Sequence, residues 1–177
     1  DRWLQARVPA AARADLERHW GQAPGRICVV ERNGGKFLVV PMLRLGNVVL
    51  MPQPLRGEAY DPSQTHDKAV PPPHSYLAAY FWLERAFGAD AYVHFGTHGS
   101  EFFLPGKNVG MSELDWPDIL LGDVPNISPW VVNNTGESIL SKRRGYATLV
   151  DHLVPPTQEA GLADGLAALH RDLHRLQ

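Results

Sequence analysis

The sequence predicts an α/β fold, a sheet with flanking helices, and three observations carry that expectation. Residues 74–87 place apolar side chains at helical spacing, residues 89–95 form a short apolar strand, and a glycine-rich turn at 96–100 follows at once. Two β-prone runs, 26–32 and 36–40, flank Asn33-Gly34-Gly35, a tight-hairpin signal because Asn and Gly tolerate positive φ. The fifteen prolines and sixteen glycines cluster in long connections, where binding and catalytic residues usually sit.

In chain order, residues 10–20 read as a short helix stopped by Gly21, Pro24 and Gly25. The hairpin follows, then a third strand over Leu45–Met51. A connection at 52–73 holds six prolines and leads into the helix at 74–87, which Ser75 can cap and Gly88 ends. The strand over 89–95 comes next, and residues 101–127 are turn-rich. Residues 128–134 read as strand or extended chain. Thr135 or Ser138 can cap a helix running to about Leu153, with Glu137 suiting the dipole of its first turn and Pro155-Pro156 stopping it. In a last helix over 158–176, Leu162, Leu166, Leu169, Leu173 and Leu176 recur at spacings of four and three, the pattern of a packing face.

Composition narrows the function classes. Hydrophobic residues make up 44% and charged residues 20%, a folded rather than disordered balance. A formal net charge of -2 gives no reason to expect nucleic acid or an anionic membrane as partner. The longest apolar runs, Ile27–Val30 and Phe37–Val40, are too short for a transmembrane segment, and no secretory signal pattern opens the chain, so a cytoplasmic location is expected. Cys28 is the sole cysteine and sits in an apolar run, where a small buried hydrophobe is the expected reading.

The stretch richest in chemistry is His94-Phe95-Gly96-Thr97-His98-Gly99-Ser100-Glu101. Two imidazoles and a carboxylate within eight residues can bind a divalent metal or exchange protons near neutral pH. Gly96 and Gly99 argue against a helix, so this is no helical His-x-x-x-His zinc motif. A partly buried structural histidine beside an ordinary turn explains the same residues. His66 and Asp67 in the proline-rich connection, and His74 opening the next helix, are further candidates. A helix N-terminus favours neutral imidazole, which suits a ligand or a base. Asp115 and Asp118 flank Trp116-Pro117, and turn chemistry accounts for them equally well. Lys107 and the run Lys142-Arg143-Arg144 can hold substrate carboxylates or form a solvated patch, and no phosphate-binding glycine motif accompanies them. Tyr76, Tyr80 and Trp82 can line a cavity, though core packing explains their spacing more simply.

Ten blocks in order over roughly two thirds of the chain carry a resemblance. They are Gly-Asn-Val-Val-Leu at 46–50, Gln-Pro-Leu-Arg-Gly at 53–57, His-Ser-Tyr-Leu-Ala-Ala-Tyr at 74–80 and Ala-Asp-Ala-Tyr-Val-His-Phe-Gly-Thr-His-Gly-Ser at 89–100. Leu-Pro-Gly-Lys at 104–107, Pro-Asn-Ile at 125–127, Val-Asn-Asn-Thr-Gly-Glu at 132–137 and Ser-Lys-Arg-Arg at 141–144 continue them. Asp-His-Leu-Val-Pro-Pro at 151–156 and Ala-Gly-Leu at 160–162 complete the set. With residues 46–164 as its core, the chain resembles the central region of the large porphyrin-binding subunit shared by aerobic cobaltochelatase and magnesium chelatase. Residues 1–177 then read as one α/β domain, or a fragment of one, within a larger multi-domain subunit, and its leucine stripe as a face for the rest of that subunit.

The resemblance implies a subunit that binds a tetrapyrrole, into which a divalent metal is inserted, Co2+ being favoured and Mg2+ possible. ATP is used by an AAA+ ATPase partner acting with an adaptor subunit, and the chain alone is expected to be inactive. A branch acting on haem, and a carrier that binds tetrapyrrole or metal without insertion, are the alternatives. Insertion removes two pyrrole N–H protons and strips water from the ion. His94, His98 and Glu101 are the expected catalytic residues; His94, His98 and His66 the expected metal ligands; and His74, Lys107, Lys142, Arg143 and Arg144 the expected tetrapyrrole contacts. In two places the chain departs from its resemblance. Family members commonly read Gly-Ser-Leu-Glu-Phe where this chain has Gly-Ser-Glu-Phe-Phe, which in an extended segment turns Glu101 to the opposite face. Asp115 stands where a cysteine is common, an oxygen donor in place of sulfur.

Overall fold

Three buried prolines, Pro71–Pro73, lead into the helix around which the other elements gather. The structure, a computed structural model, describes residues 2–96, 99–129, 134–151 and 164–175. Helices α1 (Arg2–Arg7) and α2 (Ala10–Trp20) come first, the second ending at Gly21, whose φ of 79° a side chain would resist. The strands β1 (Val29–Arg32) and β2 (Gly35–Leu38) pair antiparallel. Asn33 and Gly34 turn between them with φ of 52° and 73°, the pair of left-handed residues a two-residue hairpin requires.

The expected third strand is the second half of another hairpin, β3 (Leu43–Leu45) with β4 (Val48–Leu50), because Gly46 at φ 62° turns the chain with Asn47. Its register pairs Leu43 with Leu50 and Leu45 with Val48, so one face carries four exposed apolar side chains. Cys28 corrects an expectation as well. It is exposed, with φ 54° just before β1, so its side chain leaves the apolar run rather than burying in it.

In the proline-rich connection lies a short helix, α3 (Pro62–His66), capped by Asp61. Helix α4 (His74–Trp82) is buried nearly all round: Tyr76, Leu77, Tyr80 and Phe81 pack with Leu16, Leu104, Trp116 and Leu120. Each such side chain stabilises the fold by about 1.5–3 kcal/mol. Pro73, not Ser75, holds the N-cap position. Over Leu83–Phe87 the helix widens to π geometry, which brings Phe87 under Trp82 five residues earlier, and Gly88 closes it at φ 74°.

Strands β5 (Tyr92–Val93), β6 (Asn126–Pro129) and β7 (Thr148–Val150) form a parallel sheet in the order 5-6-7. Between β5 and β6 lie a 3-10 turn over Glu101–Phe103 and helix α5 (Trp116–Leu121). Helix α6 (Thr135–Arg144) connects β6 to β7, capped by Asn134 rather than by Thr135 or Ser138. It ends at Gly145, well short of Leu153, because Tyr146 takes a left-handed φ of 49° and the chain enters β7. Helix α7 (Asp164–His174) exposes Leu166, Leu169 and Leu173, while Leu162 and Leu176 lie outside the described residues. The fold is thus mixed α/β, with three small sheets flanked by helices. Among the described residues no helix is long and apolar enough to cross a membrane.

Candidate functional site

The parallel sheet places the site. His94 directly follows β5, at the carboxyl end of the strand, and its N–H donates to the Ile127 carbonyl at 2.8 Å. Asn126 opens the neighbouring strand, and its Oδ1 lies 2.7 Å from His94 Nδ1. The amide's own Nδ2 donates to the Gly145 carbonyl at 2.8 Å. On the other side of the ring, Nε2 lies 2.9 Å from the Tyr80 hydroxyl, and the two rings stack at 6.0 Å.

Glu101 completes this cluster. Its Oε1 sits 3.6 Å from His94 Nδ1, and its side chain is 0% exposed. Among the described residues neither carboxylate oxygen has a hydrogen-bond partner. Burying a carboxylate in this condition is costly, and it is tolerated where the charge has a task. The segment is a 3-10 turn rather than extended chain, so residues 101, 102 and 103 are all buried despite pointing in different directions. That local winding, unlike the alternation of an extended segment, lets Glu101 face His94.

Two tyrosines on α4 link the cluster to a second polar group. Gln53 Nε2 lies 2.7 Å from the Tyr76 hydroxyl, 3.0 Å from that of Tyr80 and 2.9 Å from Ser100 Oγ. Tyr76 and Ser100 also share a hydrogen bond of 2.6 Å. Burial, with the Glu101 carboxylate adding to it, pushes the Tyr76 hydroxyl well above its ordinary range. Burial does the same to Tyr80, with Tyr76 and Glu101 adding to the effect. Both phenols therefore stay protonated as hydrogen-bond donors.

Gln53 borders two open cavities. One, of about 910 Å³, is walled by the β3–β4 hairpin, Leu83, Phe87 and residues 88–95, and reaches Tyr80 and His94. The other, of about 310 Å³, is lined by Arg56, Tyr60, His66, Ser100, Phe103 and Glu137 among others.

The remaining candidates lie apart from His94. His66 ends α3 and meets Phe103 edge-on at 4.4 Å, at the smaller cavity. His74 is buried, and its Nε2 donates to the Gly21 carbonyl at 2.8 Å, tying α4 to the end of α2. Gly25 packs so close that a Cβ there would stand 2.7 Å from the ring. Lys107 is exposed, its Nζ 3.3 Å from Ser112 Oγ. Lys142 and Arg143 are exposed on α6, while Arg144 is 1% exposed and donates to the Leu104 carbonyl at 2.7 Å. Asp115 closes its loop by accepting from the N–H groups of Lys107 and Ser112 at 2.8 and 2.7 Å. Burial alone would raise the Asp115 carboxyl, but these hydrogen bonds outweigh it and hold it below its usual range. His98 and Thr97 lie outside the described residues. Among the described residues no three His, Cys, Asp or Glu side chains converge as a metal set. Gln53, Ser100 and Asn126 are site residues that residue type alone did not single out. The one signal for Asn126 was a polar residue starting a buried strand.

The family model for CobN/magnesium chelatase matches residues 1–177. The chain belongs to this family. A magnesium-chelatase large-subunit relative from Rhodobacter capsulatus is 40% identical over 98% of the chain and 15% of that protein. The aerobic cobaltochelatase protein CobN of Pseudomonas aeruginosa is 44% identical over 97% of the chain and 13% of that protein. In three dimensions the chain is similar to the catalytic subunit of cobaltochelatase from Mycobacterium tuberculosis, with a TM-score of 0.77 and 42% identity over 98% of this chain. The chain spans about 15% of that structure's length. The segments that carry the CobN/magnesium chelatase resemblance, 74–80 and 89–100, are those that supply α4 and the strand leading to His94.

Proposed function

We propose that the chain forms the proton-handling wall of the tetrapyrrole site in a chelatase large subunit that inserts a divalent metal, Co2+ being favoured. The observation that supports this reading is the 3.6 Å approach of His94 to a fully buried Glu101 carboxylate that has no hydrogen bond among the described residues. Metal insertion exchanges two pyrrole N–H protons for one dication, so the site needs a base and a negative charge near the ring. His94 is the base. Glu101 stabilises the positive charge that the imidazole acquires and draws the incoming cation.

The larger cavity fits a flat, largely apolar substrate. Val48, Leu50, Leu83, Phe87 and Phe95 line it, and His94 with Tyr80 stands at its polar end. Metal and tetrapyrrole are both substrates. His98 and His66 are proposed further ligands on the metal's path. Exposed Lys107, Lys142 and Arg143 are proposed contacts for tetrapyrrole carboxylates, and His74 and Arg144 act on the substrate through the walls they hold. An AAA+ ATPase subunit and an adaptor subunit supply ATP-driven force to the parent protein. Magnesium insertion is the second reading, since a magnesium-chelatase member of the family reaches 40% identity over nearly the whole chain.

The test is a side-by-side titration of the parent subunit and of this chain with hydrogenobyrinic acid a,c-diamide, protoporphyrin IX and haem, with His94→Ala and Glu101→Gln variants. Selective binding of one macrocycle, followed by insertion that either substitution abolishes in a folded protein, is expected. The first macrocycle preferred indicates cobalt, the second magnesium and the third iron removal. Insertion untouched by both substitutions would remove the pair from the reaction.

A further inference from the structure

We infer that Asn126 is a positioning residue that sets the tautomer of His94, leaving Nε2 as the nitrogen that accepts a proton. The orientation of the Asn126 amide is fixed from behind. Its Nδ2 donates to the Gly145 carbonyl at 2.8 Å, an atom that can only accept, so Oδ1 must face the ring. Oδ1 in turn can only accept, and at 2.7 Å from His94 Nδ1 it requires the proton there. The Nε2 lone pair is then directed at the Tyr80 hydroxyl, 2.9 Å away, and that phenol is held protonated. Tyr80 also lies within hydrogen-bond reach of Gln53 Oε1, at 3.2 Å. When its hydroxyl turns to Gln53, Nε2 is released towards the cavity that both Tyr80 and His94 line.

The backing extends one residue further. Gly145 packs where a Cβ would stand 3.1 Å from Asn126 Nδ2 and 2.9 Å from the Ser141 carbonyl. Glu101 is the weaker claimant on the same proton, at 3.6 Å from Nδ1. The functional consequence rests on the proton-handling reading above, whereas the tautomer itself does not.

Long-range proton–nitrogen correlation spectra of the chain labelled with nitrogen-15 histidine report which ring nitrogen is protonated, the His94 signals being those missing from His94→Gln. The unsubstituted chain is expected to show Nδ1–H and a bare Nε2. Asn126→Leu is expected to lose that pattern, while Asn126→Asp, which keeps an acceptor oxygen, and Glu101→Gln retain it. An Nε2–H tautomer in the unsubstituted chain overturns the inference whatever the variants do, and so does an unchanged spectrum in folded Asn126→Leu. In the reconstituted parent enzyme, Asn126→Leu is expected to lower kcat roughly 10–100-fold with little change in KM, and Asn126→Asp to recover part of it. If the tautomer changes and kcat does not, the tautomer assignment stands and the proton-handling reading falls.

Discussion

The Glu101 carboxylate lies 3.6 Å from Nδ1 of His94, buried completely and without a hydrogen bond among the described residues. Stability alone does not favour this arrangement. An apolar side chain of similar size would remove an uncompensated desolvation penalty, and the chain retains a charge instead.

Glu101→Leu should therefore separate stability from function. The variant is expected to be as stable as the original or more so, by about 1–3 kcal/mol, while the parent enzyme loses insertion. Urea unfolding alongside an insertion assay checks both. A marked drop in stability would show that the carboxylate contributes to the fold.

Alkaline stability follows from the tyrosines. Tyr76 and Tyr80 are held protonated in the folded state by burial and the neighbouring charge, so each has a folded value above its ordinary one. Below about pH 10 neither state loses these protons and the stabilisation is complete. As the pH rises further, the unfolded chain releases protons that the folded chain retains, and stability falls. Thermal melts between pH 8 and 11 are expected to show this decline, and Tyr76→Phe is expected to make it shallower.

The basic run on α6 divides by burial. Arg144→Ala should cost about 2–4 kcal/mol, since it removes a buried guanidinium that holds the Leu104 carbonyl. Lys142→Ala and Arg143→Ala, both exposed, should stay within about 0.5 kcal/mol. Denaturation midpoints distinguish the two cases. Weaker tetrapyrrole binding by the exposed pair can then be assigned to lost contacts with substrate rather than to unfolding.

The leucine stripe of α7 offers a test of a different kind. Leu166, Leu169 and Leu173 are 54–56% exposed. Replacing Leu169 and Leu173 with lysine should leave the stability of the chain nearly unchanged and reduce its binding of an apolar dye. Loss of folding would instead show that these side chains pack within the chain.

Much of the fold was legible where one local rule dominates. Asn33-Gly34 announced its hairpin through positive φ, and the spacing of Tyr76, Leu77 and Tyr80 announced α4 through periodicity. The limits of other elements were not legible. Leu45–Met51 read as one strand because apolar content outweighed the Gly46-Asn47 turn, and α6 was extended past Gly145 because nothing local demanded that Tyr146 go left-handed. Within the site, His94 and Glu101 were visible as residue types that perform chemistry. Asn126 and Gln53 were not, because amides are common in turns and acquire a role only through what faces them.

By itself the sequence determined the family, the α/β class and the stretch in which the chemistry lies, because these reside in local order: periodicity, turn residues and the succession of blocks. Only the tertiary structure decided which side chains meet. Parallel pairing of β5 and β6 brings Asn126 to His94 across 32 residues, and α4 presents Tyr80 to the other face of the ring. A 3-10 turn then folds Glu101 inward where an extended segment would have turned it away. Such contacts depend on distances in space between residues far apart in the chain, and those distances exist only once the hydrophobic core around α4 has closed.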